Sequence, residues 1–236
     1  MHIDYKEFTV VLPTLNEKGT IGNLIYYVLK NYRGSRVLVV DDGSRDGTRQ
    51  IVRGIAKYNA GVYFIDRHAM GLERGLTASI AYGISKSTTK YAIVMDADMQ
   101  HPPSKIRDIS EKLVLGKDLV VANRADVTDW SPYRRAISFL LMCAGRFVLF
   151  VRHKETCKDI FSGFFGIRRT VFNTVFKRNK RHFVMTGYKA LFDFLKCVKR
   201  GSLRIDNVSI VFNSRRSGKS NVGIKQGIAC IRSFFN

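Results

Sequence analysis

The chain of 236 residues is long enough for one large α/β domain or two small ones, and its hydrophobic fraction of 45% is ordinary for a globular protein. Its formal net charge of +21 is not ordinary, and residues 1–118 carry 17 basic and 13 acidic side chains whereas residues 119–236 carry 23 and 6. The second half is therefore expected to meet an anionic partner, either nucleic acid or an acidic membrane surface.

Strands and helices alternate along the first half of the sequence. Apolar runs predict strands over residues 8–13, 36–41, 62–65 and 91–95. Between and after them the sequence predicts helices over residues 19–29, after Asp46, over 74–85 and over 102–115, with Asn16 and Asp46 as caps. Short connections between these elements predict a parallel sheet with crossover helices, which binds ligands beyond the carboxyl ends of its strands.

Polar residues follow three of the predicted strands. Residues 13–17 (PTLNE) come after the first strand, residues 41–44 (DDGS) after the second and residues 96–98 (DAD) after the fourth. Because the carboxyl ends of parallel strands meet at one edge of a sheet, these residues are expected to line one cleft.

Two carboxylates and an amide follow the fourth strand, in the run VMDADMQHPP at residues 94–103. Alternation along an extended chain would put Asp96, Asp98 and Gln100 on one side. A hard divalent cation that stays partly hydrated and bridges to phosphate oxygens needs only one or two protein carboxylates. The run therefore predicts a metal and diphosphate site, and a turn or capping role for Asp96 is the structural alternative.

An apolar stretch at residues 136–151 is broken only by Arg146 and is flanked by Arg134, Arg135 and Arg152. It is too short for a comfortable membrane span, which needs ~20 apolar residues. A buried core helix and an interfacial helix both fit the stretch, and the flanking arginines favour the interfacial one. Residues 222–236 repeat the pattern, either as a second interfacial helix or as a terminal segment packed on the domain.

The four cysteines, Cys143, Cys157, Cys197 and Cys230, match no zinc or redox spacing. The sequence begins with polar residues that lead into a strand, and no secretory signal is visible. We interpret the thiols as reduced and structural, in a cytoplasmic compartment.

Five strings in order resemble those of family 2 glycosyltransferases of the GT-A fold, and among them the dolichyl-phosphate mannosyltransferases. They lie between residues 8 and 223 and read VVLPTLNE, VLVVDDGSRDGT, MDADMQHPP, FSGFFGIRR and RRSGKS. The resemblance implies a Rossmann-like α/β fold, in which a mostly parallel sheet is flanked by helices. It also implies a single domain, with a nucleotide-sugar and metal half at 1–118 and an acceptor half at 119–236 that carries interface helices near 134–151 and 222–236.

The resemblance also implies roles for individual residues. The donor nucleotide sugar would be held by Pro13, Leu15, Glu17, Asp41, Asp42, Arg67, Asp96, Arg215 and Lys219. Mg²⁺ or Mn²⁺ would be coordinated by Asp96, Asp98 and Gln100. The acceptor phosphate would be gripped by Arg124, by Arg134 or Arg135, and by Arg215 or Arg216. The catalytic residues would be Asp96, Asp98, Arg124 and Asp159, and a loop with Ser217, Lys219 and Ser220 would close over the donor.

The nature of the acceptor bears on the need for a base. A sugar hydroxyl would need a carboxylate general base, whereas a lipid monophosphate, with a second pKa of about 6, is already an anion near pH 7. Hydroxyl-glycosylating relatives carry an acidic pair where this chain has one acid, Asp159, in the string KDIFSGF. Asp159 could be a residual base, a sugar ligand or a structural residue.

The implied activity is inverting transfer of a hexose, mannose from GDP-mannose, to dolichyl or polyprenyl phosphate. It would take place on the cytoplasmic side of the plasma membrane or the endoplasmic reticulum, and some relatives are held there by a partner subunit. The alternatives are transfer from UDP-glucose or another UDP-sugar, a nucleic-acid-binding protein, and a catalytically silent scaffold of the same fold. Duplex binding favours basic residues on polar faces, whereas here Arg134, Arg135, Arg146 and Arg152 bracket an apolar stretch, which argues against nucleic acid.

Overall fold

A seven-stranded, mostly parallel sheet forms the centre of the structure, a computed structural model that describes residues 3–127, 132–212 and 233–234. The strand order is β3-β2-β1-β4-β6-β5-β7, and among these strands only β6 runs antiparallel to its neighbours. The strands are β1 (Phe8–Thr14), β2 (Arg36–Asp41), β3 (Val62–Asp66), β4 (Tyr91–Val94), β5 (Leu119–Val127), β6 (Phe165–Arg168) and β7 (Ile205–Phe212). The helices are α1 (Ile21–Asn31), α2 (Thr48–Tyr58), α3 (Leu76–Lys86), α4 (Ile106–Val114), α5 (Pro132–Val151), α6 (Arg169–Asn179) and α7 (Ala190–Lys196). This architecture confirms the predicted fold class.

Helices cover both faces of the sheet, as the continuous apolar runs of its strands require. Alternate residues of β1 show the division: Val10 belongs to the hydrophobic cluster that contains residues of α1, α2 and α4, whereas Val11 belongs to the cluster that contains residues of α3, α5, α6 and α7. Both side chains are fully buried. The two hydrophobic layers therefore fix the strand register, and with it the edge at which the loops emerge.

The predicted elements of the first half agree with the structure to within a few residues, but two details differ. Asn16 does not cap α1, which begins after Thr20; instead Asn16 has a left-handed backbone (φ 58°) and its side chain accepts a hydrogen bond from the Arg45 amide. The predicted helix over 102–115 begins as a short 3-10 turn, Pro103–Lys105, before α4.

The reversed strand β6 lies between β4 and β5. Phe165, its first residue, pairs with Val94 at the end of β4 and with Val121 of β5. Because β6 runs in the opposite direction, it begins at the edge of the sheet where β4 ends, beside Val121 of β5, and β5 itself continues to Val127. The loop that precedes β6 therefore reaches this edge between the other two strands.

Helix α5 has a large apolar exposed surface. Its exposed apolar side chains include Ile137, Phe139, Leu140, Phe147, Phe150 and Val151. Spacings of three, four and seven residues place most of them along one side of the helix. Within the described residues, no helix is both long enough and apolar enough to cross a membrane.

Most of the predicted second interfacial helix, 222–236, lies outside the described residues. Its two described residues, Ser233 and Phe234, are buried, and the Phe234 ring contacts Phe161 and Phe192. At these two positions the segment packs on the domain. Of the cysteines, Cys143, Cys157 and Cys197 are free thiols, and Cys230 falls outside the described residues.

Candidate active site

The loops after β1 and β2 are joined by hydrogen bonds at the carboxyl edge of the sheet. The Asn16 amide donates to Ser44 Oγ at 2.8 Å, and the Glu17 amide donates to Thr48 Oγ1 at 2.9 Å. Leu15 and Glu17 are partly exposed there, whereas Pro13 is buried in β1. Residues predicted to contact the nucleoside thus lie beside the DDGS loop.

The two acids of the DDGS loop have different surroundings. Asp41 is fully buried and accepts hydrogen bonds from the Gly43 and Ser44 amides at 3.2 and 2.9 Å. Asp42 forms a buried ion pair with Arg67 and accepts a hydrogen bond from the Gly75 amide at 2.7 Å. Burial raises the pKa of Asp42, although the Gly75 amide and the Arg67 charge oppose that effect.

Arg67 is predicted to bind the donor, and the structure places it between the DDGS loop and the segment around residue 73. Its guanidinium donates to Asp42, to Ser79 Oγ at 2.8 Å and to the Glu73 carbonyl at 2.7 Å, and the residue is 3% exposed. Its described contacts are therefore with protein groups. They hold the segment around residue 73 against the DDGS loop.

The Asp96, Asp98 and Gln100 run follows β4, but not as an extended chain. The strand ends at Val94, and Met99 has a left-handed backbone (φ 64°) within a turn. The Gln100 amide donates to Asp98 Oδ1 at 3.0 Å and stabilises this turn. Asp98 is 4% exposed, whereas the Asp96 side chain is 33% exposed. The turn, and not strand alternation, sets the placement of the predicted metal ligands.

His101 is buried beside Asp96, although the sequence indicated no function for it. It is 2% exposed, and its Nδ1 lies 3.4 Å from the Asp96 amide and 3.6 Å from Asp96 Oδ2. Burial lowers the pKa of His101 to about 4, with smaller effects from the charges of Asp98, Arg124 and Asp159. The imidazole is therefore neutral at pH 7, and Nδ1 can accept the amide hydrogen.

Near His101, Arg124 forms a two-point ion pair with Asp159. Arg124 Nε lies 2.7 Å from Asp159 Oδ2, and Arg124 Nη2 lies 3.1 Å from Asp159 Oδ1. The Phe212 ring contacts both neighbours, since its centroid lies 5.2 Å from that of His101 and 5.9 Å from Arg124 Cζ. Two residues predicted to be catalytic thus contact each other.

The FSG string places a glycine against Asp96. A Cβ atom at Gly163 would lie 3.0 Å from Asp96 Oδ2 and 3.3 Å from Asp96 Oδ1. The neighbouring Ser162 hydroxyl donates to the Ala122 carbonyl at 2.7 Å and accepts from the Phe164 amide at 3.1 Å. The string thereby fixes the loop against β5 and leaves room for the Asp96 carboxylate.

The other predicted acceptor arginines lie on α5 or outside the described residues. Arg135 is exposed on the first turn of α5; Arg134 belongs to the same turn, and its side chain is not among the described ones. Arg215, Arg216 and Lys219 lie outside the described residues, as do Ser217 and Ser220. The roles of these seven residues remain predictions.

The described geometry is that of an α/β sheet with acidic loops at the carboxyl ends of its strands, which is typical of nucleotide-binding enzymes. The chain belongs to glycosyl transferase family 2, whose sequence profile matches residues 9–176. The family predicted from the five strings is confirmed.

Three dolichol-phosphate mannosyltransferases are similar in sequence. That of Pyrococcus furiosus is 28% identical over 221 residues, covering 91% of this chain and 58% of the relative. That of Mycosarcoma maydis is 32% identical over 195 residues, covering 80% and 61%. That of Saccharomyces cerevisiae is 27% identical over 232 residues, covering 93% and 82%. The chain thus spans about three fifths of the length of the first two relatives.

Solved structures share the fold at low sequence identity. Glucosyl-3-phosphoglycerate synthase from Mycobacterium tuberculosis, in complex with Mn²⁺, UDP-glucose and phosphoglyceric acid, superposes with a TM-score of 0.58 at 18% identity. That match covers 90% of this chain and 72% of the other. A second mycobacterial protein gives a TM-score of 0.65 at 19% identity, covering 93% and 72%. At such identities the likeness concerns the fold.

Proposed function

We propose that the chain transfers mannose from GDP-mannose to dolichyl or polyprenyl phosphate, with inversion and with the help of a divalent metal. One observation carries the proposal: the Asp96 carboxylate lies 3.6 Å from the buried His101 imidazole, and the charges of Asp98 and Arg124 are close enough to act on the pKa of that imidazole. A cation with a diphosphate at the two aspartates, and an anionic acceptor at Arg124, would match these charges. The relatives named for this activity support the same assignment.

The oxygen ligands that follow the carboxyl end of β4 fit Mg²⁺ or Mn²⁺. The described residues contain no cluster of three or more His, Cys, Asp or Glu side chains that could enclose an ion on their own. A cation shared with substrate phosphates needs only one or two carboxylates, which Asp96 and Asp98 provide. The side-chain amide oxygen of Gln100 would be a further ligand. When bound, the metal would supply positive charge that stabilises the departing nucleoside diphosphate.

The acceptor side of the cleft fits a phosphate monoester. Arg124 is planar, permanently charged and rich in donors, which suits phosphate recognition. A phosphate anion attacks the anomeric carbon from the side opposite the nucleotide without first giving up a proton to a strong base, and inversion follows from that direction of attack. The protein then has to position the two substrates and exclude water.

We propose further that α5 holds the enzyme on the cytoplasmic face of an anionic membrane. The exposed apolar side chains of the helix could enter the boundary between lipid headgroups and acyl chains. The Arg200 guanidinium lies 5.8 Å from the ring of Phe150, which is 64% exposed, so that positive charge and apolar surface adjoin. This combination favours a lipid surface over nucleic acid. An anchoring partner subunit would be compatible with it.

A donor and acceptor screen tests the proposal. Radiolabelled GDP-mannose, UDP-glucose and UDP-GlcNAc are each incubated with the protein, a polyprenyl phosphate and Mn²⁺, and the labelled lipid is extracted. We expect transfer from GDP-mannose, loss of transfer on chelation of the metal, and no transfer to the corresponding polyprenol. If only a UDP-sugar supported transfer, the assignment of GDP-mannose as the donor would be wrong. Transfer to the free alcohol would overturn the assignment of a phosphate acceptor.

A further inference from the structure

The ion pair between Arg124 and Asp159 joins residues 35 positions apart at the acceptor side of the cleft. Both carboxylate oxygens of Asp159 receive guanidinium hydrogens, and the two side chains are 16% and 6% exposed. A two-point contact of this kind fixes both the position and the plane of the guanidinium, which a single contact does not.

Asp159 is itself held firmly by its own loop. The Phe161 amide donates to Asp159 Oδ1 at 3.2 Å, and the Ser162 amide donates to the Asp159 carbonyl at 3.2 Å. Ile160 is fully buried against α5, where a Cβ atom at Gly145 would lie 2.7 Å from Ile160 Cδ1. The carboxylate therefore has little freedom to swing away from Arg124 toward a substrate.

We propose that Asp159 is a positioning residue, which holds the Arg124 guanidinium in the orientation that binds the acceptor phosphate, and that it is not the general base. This inference rests on the proposed function, since it presumes an acceptor with a phosphate group. Three N–H donors already occupy the two carboxylate oxygens, and a phosphate nucleophile has no need of a strong base.

The direction of one kinetic change separates the alternatives. If Asp159 were only a nearby negative charge, its removal would strengthen the binding of an anionic acceptor. If it were a general base, Asp159→Asn would lower kcat on the order of 10²- to 10⁴-fold at saturating acceptor. If it positions Arg124, Asp159→Asn raises the KM for polyprenyl phosphate on the order of tenfold, leaves kcat within a few-fold of the native value, and keeps the pH profile of kcat.

A double-mutant cycle shows whether Asp159 acts through Arg124. Arg124→Lys keeps the charge but loses the two-point contact. We expect Asp159→Asn to change the acceptor KM by less than about twofold in the Arg124→Lys background, because the contact it would break is already lost. Full additivity of the two effects would overturn the inference.

A matched control is available at the opposite end of β5. Asp118, like Asp159, forms ion pairs with arginine: its carboxylate lies 3.2 Å from Arg168 Nε and 3.1 Å from Arg204 Nε. Asp118→Asn should leave the acceptor KM at its native value. An equal rise in KM for Asp118→Asn and Asp159→Asn would show a general loss of structure and would contradict a positioning role.

The inference can fail separately from the proposed function. If the native chain transfers no sugar from any donor, the proposed function fails, and equilibrium binding of a short-chain polyprenyl phosphate without donor decides the inference. Weaker binding by Asp159→Asn than by the native chain would support it. Equal or tighter binding by the variant, or no binding by the native chain, would overturn it.

Discussion

Asp98 is the buried member of the predicted metal-binding carboxylates, and its role can be tested by a single substitution. Asp98→Ala should remove metal-dependent nucleotide binding and reduce transfer by more than the ~10- to 100-fold that the loss of an outer partner of a metal ligand costs. Titration of nucleotide with and without Mn²⁺ measures the effect. The control is Asp108→Ala, which removes the ion pair between Asp108 on α4 and Lys105 and should bind nucleotide normally. Full activity of Asp98→Ala would remove the metal role.

The substitution Gly163→Ala tests the placement of Asp96, because it adds only the volume of one methyl group beside the carboxylate. The φ of Gly163 is not in the left-handed region, so alanine adds no backbone strain, but the new Cβ would press on the Asp96 carboxylate. A shift of a few tenths of an ångström should lower kcat about tenfold, since a displacement of about 1 Å can cost 10²-fold. Gly54→Ala, where a Cβ would meet nothing within 4 Å, should leave kcat unchanged. Steady-state kinetics of both variants would decide the matter, and equal kcat values would contradict the prediction.

At the scale of elements, Asp118 joins β5, β6 and β7 at the end of the sheet away from the cleft. Burial raises the pKa of Asp118, but hydrogen bonds from Arg204 and Arg168 outweigh burial and leave the pKa lowered. Because the native pKa lies below the unfolded value of about 3.9, the carboxylate stabilises the fold above that pH and loses this effect as the pH falls further.

Asp118→Asn should therefore lower the free energy of unfolding at pH 7 by on the order of 1–2 kcal/mol. The difference from the native chain should shrink as the pH falls below about 4. Urea unfolding at pH 7 and at pH 3 measures both values. Asp108→Asn, at a more exposed ion pair, should change the stability by less than about 1 kcal/mol. If the difference in the free energy of unfolding between the native chain and Asp118→Asn grew at acid pH, the lowered pKa of Asp118 would be contradicted.

The first four strands and their helices were predictable because each element carries its own apolar period and the connections are short. The order of β6, β5 and β7 was not predictable, since the reversal of β6 depends on pairing between distant segments. The site divides in the same way. Asp96 and Asp98 were predictable as a pair because they are close in sequence. The contact of Arg124 with Asp159 and the fit of Gly163 against Asp96 join distant segments and exist only after folding.

At the scale of the whole molecule, the exposed side of α5 predicts membrane binding. Replacing Phe147 and Phe150 with serine should reduce co-sedimentation with anionic vesicles severalfold, because two apolar side chains at 67% and 64% exposure lose their contact with lipid. The matched control replaces Tyr26 on α1 and Tyr58 on α2, which are 57% and 80% exposed on the other face of the sheet. Equal losses in both double variants, or no loss in the first, would argue against α5 as the membrane contact.

The reversed strand β6 also fixes the distance between its two neighbours, β4 and β5. Strands in a sheet lie about 4.8 Å apart, so Val94 at the end of β4 and Val121 of β5, with Phe165 of β6 between them, lie about 10 Å from each other. Hydrogen-bond ladders on both sides of β6 hold that span, and side-chain rearrangement cannot widen it. For the proposed transfer, the interval between the donor site after β4 and the acceptor site at Arg124 would thus be set by the backbone of these strands.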